Sequence, residues 1–202
     1  MRLAKPGDTV MLSMASGRAI RFDEAGVRAM GRSSRGVKGA KLLGDDEVVG
    51  MVVAEPDAFL LTASVNGYGK RTPLSDYPIK GRGGQGVIDI RTTDRNGKVI
   101  TAKFCREQDE AMFITESGMI VRTAIADIST VGRNTQGVRL VNLKDGDKLV
   151  SVEIISSADL ERFADEGEEP GADGAAGDGE PAEGTTPPQN EDAPAEDGPE
   201  EE

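Results

Sequence analysis

"GRSSRGV" (Gly31–Val37), "GRGGQGV" (Gly81–Val87) and "GRNTQGV" (Gly132–Val138) are three copies of one Gly-Arg-x-x-x-Gly-Val phrase, starting 50 and 51 residues apart. A period near 50 residues marks a repeated supersecondary unit that buries its faces against its neighbours. The likeness extends beyond the phrase. A glycine stands fourteen residues before each copy (Gly17, Gly67, Gly118), and an arginine follows four residues later (Arg21, Arg71, Arg122). Apolar runs precede those glycines at Thr9–Ser16, Ala58–Val65 and Ala111–Ser117, and further runs follow the phrases at Glu47–Ala54, Lys98–Phe104 and Lys148–Ile155. Short runs rich in Val, Ile, Leu and Thr, bounded by Gly, Asp and Asn, read as strands. Each unit therefore predicts four strands, with hairpin corners at Gly17, Gly67 and Gly118 and a tight Asn-Gly turn at Arg95–Lys98. No sustained helical period runs through the body.

Charge divides the chain. Residues 1–157 carry 23 Lys+Arg against 19 Asp+Glu, a net of +4, while residues 158–202 carry one arginine against 17 acids, a net of -16. A basic body beside a polyanionic tail points to a nucleic-acid partner or an interaction tail. From Glu166 onward the chain is largely Gly, Ala, Pro, Glu and Asp. Such a composition cannot offset an ordering entropy of about 1–2 kcal/mol per residue. The tail is expected to be disordered, serving either as a solubiliser or as an internal DNA mimic, with a short helix, Ala158–Asp165, joining it to the body.

Several classes of function are disfavoured. The chain has no His and a single cysteine, Cys105, so His-based acid–base chemistry and intrachain disulfides are absent. No apolar run approaches 18 residues, and no membrane partner is expected. No catalytic residue and no metal ligand stands out.

The phrase itself suits phosphate. Its arginine offers a planar five-donor fork, and its glycines clear side chains from a surface that a bulky partner approaches. Extra basic residues gather at the same bends. The candidate DNA-binding set is Arg32, Arg35 and Lys38 in the first unit, Lys70, Arg71, Lys80, Arg82, Gly83 and Gly84 in the second, and Arg133 in the third. Arg21 and Arg122 belong to the set by repetition, and Arg18 lies nearby. The competing reading has the repeated arginines brace one blade against the next. Aromatic residues are 3% of the chain, too few for stacking on single strands. Duplex DNA held through its backbone, without reading bases, is the expected partner.

At these residues the sequence resembles a known family. "NGYGKRTPLSDYPIKGRGGQGV" (Asn66–Val87), "ITESGMIVRTAIADISTVGRNTQGVRLVNL" (Ile114–Leu143) and the acidic end are similar to the C-terminal domain of the DNA gyrase A protein. The likeness covers about residues 1–157. It implies an all-β, propeller-like β-pinwheel of four-stranded blades with a basic rim around which DNA wraps, so directing ATP-driven negative supercoiling. At ~50 residues per blade, about six blades need ~300 residues, so the three phrases imply a partial pinwheel of about three blades. The family's box reads Gln-Arg-Arg-Gly-Gly-Lys-Gly; here "KGRGGQG" has Lys80 in place of its first Gln and Gln85 in place of a basic residue. The resemblance also implies that the chain is an accessory part of an isomerase, a type II topoisomerase, cytoplasmic and nucleoid-associated. Its partners would be the rest of the gyrase A protein and the gyrase B protein in an A2B2 assembly. ATP and Mg²⁺ would belong to the whole enzyme, leaving no cofactor here. Tyr68 and Tyr77 lie in the repeat and do not match a catalytic tyrosine. Three alternatives stand beside this: a domain of the topoisomerase IV A protein, a protein-interaction propeller of the chromatin-condensation-regulator type, and a free-standing fragment that competes with gyrase for DNA.

Overall fold

The computed structural model describes residues 3–55 and 57–166. The body is all-β, as the repeat predicts. In the first unit β1 (Thr9–Met14) turns into β2 (Arg18–Asp23). In the second, β4 (Phe59–Ser64) turns into β5 (Tyr68–Pro73), and in the third β8 (Glu110–Thr115) turns into β9 (Ile120–Ala124). Gly17, Gly67 and Gly118 make these corners at φ of 81°, 76° and 84°, the left-handed region that glycine enters freely. A single 3₁₀ turn follows each hairpin, and the phrase comes after it. The chain then returns beside the first strand as β3 (Val48–Ala54), β7 (Val99–Cys105) and β11 (Leu149–Ile155).

The fourth strand differs from expectation, because it is lent. After the second phrase, β6 (Val87–Ile88) leaves its own unit and pairs with β2 of the first, Arg18 opposite Ile88. After the third phrase, β10 (Val138–Arg139) pairs with β5 of the second. The sheets therefore run β3-β1-β2-β6, β10-β5-β4-β7 and β11-β8-β9. Matching backbone bonds secure both lent strands. The amides of Asp89 and Ile90 donate to the Gly17 carbonyl, and those of Leu140 and Val141 donate to the Gly67 carbonyl. Among the described residues β9 has no such partner, and its Ile120 is 58% exposed. Residues 36–43 of the first unit, the counterparts of the lent strands, form no strand.

The core lies between blades. Met11, Val52, Leu60, Leu74, Tyr77 and Ala102 join the first and second sheets. Leu61, Cys105, Phe113, Ile125, Leu149 and Val152 join the second and third. Strand β7 neighbours both β3 and β11, so the lent strands occupy the opposite, outer edges. A repeated clasp closes the first and third blades: Asp46 accepts from the Ser16 amide and hydroxyl, and Asp147 accepts from those of Ser117. These hydrogen bonds to Ser117 hold the Asp147 carboxyl down at about 2. In the middle unit buried Asn96 takes the corresponding place and donates to the carbonyls of Arg91 and Gln136.

Cys105 is buried, and burial, with the nearby Asp109 charge, pushes its thiol up to about 12. A thiol reagent at pH 8 should leave it unmodified in the folded protein and react one-for-one after denaturation. Rapid labelling without denaturant would contradict this packing.

The last described element is α1 (Ser157–Glu166), one residue longer at each end than predicted. Ser156 caps it, its hydroxyl accepting from the Asp159 amide and donating to the Asp159 carboxylate. Residues 167–202 lie outside the described residues, and so does the acidic-tail reading beyond residue 166.

Candidate nucleic-acid interface

Each phrase links a 3₁₀ turn to a segment that follows it, and in the second and third units that segment lies on the outer edge of the preceding blade. Of the two glycines that flank the phrase, only the second takes a positive φ: Gly36, Gly86 and Gly137 sit at 79°, 69° and 75°. In the second and third phrases this glycine makes the bend where the lent strand enters its host sheet. A Cβ on Gly86 would fall 2.2 Å from the Ala19 carbonyl oxygen of that host strand.

The outer loops hold half of the ten expected cations in solvent. Arg32, Arg35, Lys38, Lys80 and Arg82 are exposed, and none of them forms an ion pair among the described residues. Arg82 also braces, donating from Nε to the Gly26 carbonyl at 2.6 Å and from a terminal nitrogen to that of Lys38 at 3.1 Å. The first and second loops are laced further by Gly83 N to Gly39 O (2.6 Å) and Lys41 N to Gly84 O (2.8 Å). Gly84 itself is exposed and Gly83 half-buried. Arg18 donates to the carbonyls of Gln85 and Gly86 and so fastens the second phrase to β2. Between the second and third phrases a shallow depression is lined by Arg18, Asp76, Gly86, Val87, Arg133 and Asn134.

Two members of the candidate set are not at the surface. Lys70 is 0% exposed, and its Nζ donates to the carbonyls of Asp89 (2.7 Å) and Gly132 (2.8 Å) beside the Asp89 carboxylate (3.6 Å). Burial lowers its pKa, against the opposing pull of Asp89. Arg71, 7% exposed, reaches Glu107 and the Ala126 carbonyl, with its guanidinium 5.0 Å from the centre of the Phe59 ring. β5 is buried along nearly its whole length, so a Lys-Arg pair that looks like a surface cluster is inside the packing. Arg21 is half-buried in the same bracing role. It donates to Thr9 Oγ1 and to the carbonyls of Leu74 and Tyr77, and burial lowers its pKa. Arg122 is exposed but paired with Glu110, which raises its pKa. Bracing between blades thus accounts for Arg21 and Arg71, whereas Arg122 pairs within its own hairpin, and Arg32 and Arg82 of the phrases face solvent.

Arg133 is half-buried, with its guanidinium 5.9 Å from the centre of the Tyr77 ring. Other exposed cations nearby lie outside the candidate set. Arg95 and Arg139 flank Tyr68 at 4.7 and 5.3 Å from the ring centre, and Arg139 donates to its hydroxyl at 2.8 Å. Hydrogen bonding to Arg95 and then Arg139 lowers the Tyr68 pKa. Arg139 does carry a sequence signal, since it stands where Lys38 stands in the first unit, directly after the valine of its phrase. Arg91, whose Nε donates to Asn134 Oδ1, carries no comparable signal.

Comparisons with known proteins agree with this architecture. A family model described as "DNA gyrase C-terminal domain, beta-propeller" matches residues 15–55, 58–106 and 109–156, one match per unit. The DNA gyrase A protein of Salmonella typhimurium is 46% identical over 154 residues, 76% of this chain and 18% of that protein. Its counterpart in Escherichia coli K12 is 45% identical over 149 residues, 74% of this chain and 17% of that protein. A solved DNA gyrase A C-terminal domain superposes with a TM-score of 0.70 at 29% identity, over 75% of this chain and 52% of that one. The C-terminal domain of DNA topoisomerase IV superposes with a TM-score of 0.75 at 23% identity, over 83% and 53%, a likeness of fold alone. The chain thus spans less than a fifth of these full-length relatives and about half of the solved domains.

Proposed function

Because this chain belongs to the family of DNA gyrase C-terminal beta-propeller domains, we propose that it binds and bends duplex DNA along the outer edges of its blades, as part of a gyrase A protein. The observation that carries the proposal is the recurrence of exposed cations on the outer loops, without ion pairs among the described residues: Arg32, Arg35 and Lys38, then Lys80 and Arg82. Duplex DNA presents one negative charge per ~1.7 Å of axis, and each phosphate contact releases counterions. Smooth bending of a 20–30 base-pair site costs of order 1–6 kcal/mol. Several weak contacts, spaced blade by blade, offset that cost without reading a base.

In the whole enzyme the wrapped segment would be presented to a DNA gate, with the gyrase B protein supplying ATP-driven transport in an A2B2 assembly on the nucleoid. This chain then serves as an accessory wrapping element of that isomerase. Its acidic end competes with DNA for the outer loops, so removing Asp165–Glu202 should tighten binding and steepen its salt dependence. A gel-shift series on duplexes of increasing length tests the proposal. Wrapping predicts affinity that rises steeply until the duplex spans all three outer edges, then levels. Binding that tracks only the number of base pairs available would leave simple electrostatic adhesion, and no binding would favour a protein-interaction scaffold.

A further inference from the structure

The middle blade contains a buried polar cluster that the other two lack. Counted from the hairpin glycine, positions three, ten and twenty-two are Lys70, Tyr77 and Asp89 in the second unit. The same positions are Ile20, Val27 and Gly39 in the first unit and Val121, Ile128 and Leu140 in the third. Lys70, Tyr77 and Asp89 are respectively 0%, 2% and 1% exposed. The Asp89 carboxylate accepts from the Tyr77 hydroxyl (2.6 Å) and the Thr62 hydroxyl (2.7 Å), with the Lys70 ammonium beside it. In the third blade three apolar side chains stand at these positions. A buried ion pair is seldom more stabilising than such packing, so stability alone does not explain the substitution.

What the cluster holds is the third phrase. Lys70 Nζ grips the carbonyl of Gly132, and the Asp89 carbonyl accepts from the Asn134 amide at 2.9 Å. The backbone is therefore pinned on both sides of Arg133. The Arg133 guanidinium lies against the ring of Tyr77, whose hydroxyl is tied to the same carboxylate. Asn134 sits at φ 62°, a conformation that the pinning maintains.

We propose that Lys70, with Tyr77 and Asp89, is a positioning residue. It touches no DNA but aims Arg133 at the phosphate backbone, through the buried clasp on the Gly132–Asn134 turn. The inference rests on the outer-edge reading above and assigns Lys70 a role in it from the inside. It also separates the third phrase from the first two, whose arginines sit in loops without a buried clasp.

The test uses the full chain and a duplex of about 150 base pairs, one persistence length, titrated across salt concentrations. Arg133→Ala is expected to reduce the log–log salt slope by roughly 0.9, one phosphate contact. The triple variant Lys70→Val/Tyr77→Ile/Asp89→Leu, which installs the third blade's apolar set, is expected to fold and to lose the same increment. Adding Arg133→Ala to the triple variant should then remove nothing more. Lys70→Met alone should show the same non-additivity with Arg133→Ala, and serves if the triple variant does not fold. Additive losses, or a clasp variant that keeps the wild-type slope while Arg133→Ala lowers it, overturn the positioning role and leave the outer-edge reading intact. An unchanged slope for Arg133→Ala overturns both at this residue. Lys80→Ala and Arg82→Ala then report whether the reading survives at the other loops.

Discussion

Gly86→Ala is expected to destabilise the folded protein by about 3–5 kcal/mol, among the largest effects of any single methyl group in this chain. Two costs combine. The residue sits at φ 69°, where an L side chain costs roughly 1–2 kcal/mol. The added Cβ would also meet the Ala19 carbonyl oxygen at 2.2 Å, backbone that cannot swing aside without breaking the pairing of β6 with β2. Gly36→Ala is the matched control. Its φ is 79°, but nothing lies within 4 Å of the added carbon, so about 1 kcal/mol is expected. Urea denaturation of the two variants reads the difference. Equal midpoints would mean that strand lending does not need a glycine at that bend.

The second large effect is on DNA. Replacing Arg32, Arg35, Lys38, Lys80 and Arg82 together by alanine should reduce the salt slope of duplex binding by roughly 4–5, near 0.9 for each lost phosphate contact. All five are exposed, so the accompanying loss of folding stability should be small and should come from the Arg82 bonds to the Gly26 and Lys38 carbonyls. Arg71→Met makes the informative contrast. Arg71 is buried against Glu107, the Ala126 carbonyl and Phe59, so its loss should lower stability and leave the slope unchanged. A pentuple variant that keeps its slope would remove the outer loops from the binding surface. A pentuple variant that changes sequence preference would contradict recognition of the backbone alone.

Much of this fold is readable in the linear sequence, because each repeated device carries its own local signal. Gly17, Gly67 and Gly118 mark corners that close at a positive φ, and the phrase spacing counts the blades. The lending of β6 and β10 is not readable in that way. Two residues, Val87–Ile88 or Val138–Arg139, are too short to show alternation, and their partners lie about seventy residues away in the chain. Burial is hidden for a related reason. A strand covered on both faces has no polar side to betray it, so Lys70 and Arg71 resemble the exposed pair at Lys80 and Arg82. The carboxylate that neutralises Lys70 comes from Asp89, nineteen residues on and brought there by the lent strand.

Strand lending also decides how this body responds to pull. The second phrase is moored by its 3₁₀ turn to one sheet and by β6 to the previous one, so a tug on Lys80 or Arg82 loads two sheets at once. The strain of a stiff, curved partner would then spread along the row of blades rather than peel one loop away. Cutting the chain between units would not yield separable blades either, because each cut leaves one sheet short of a strand that its neighbour carries.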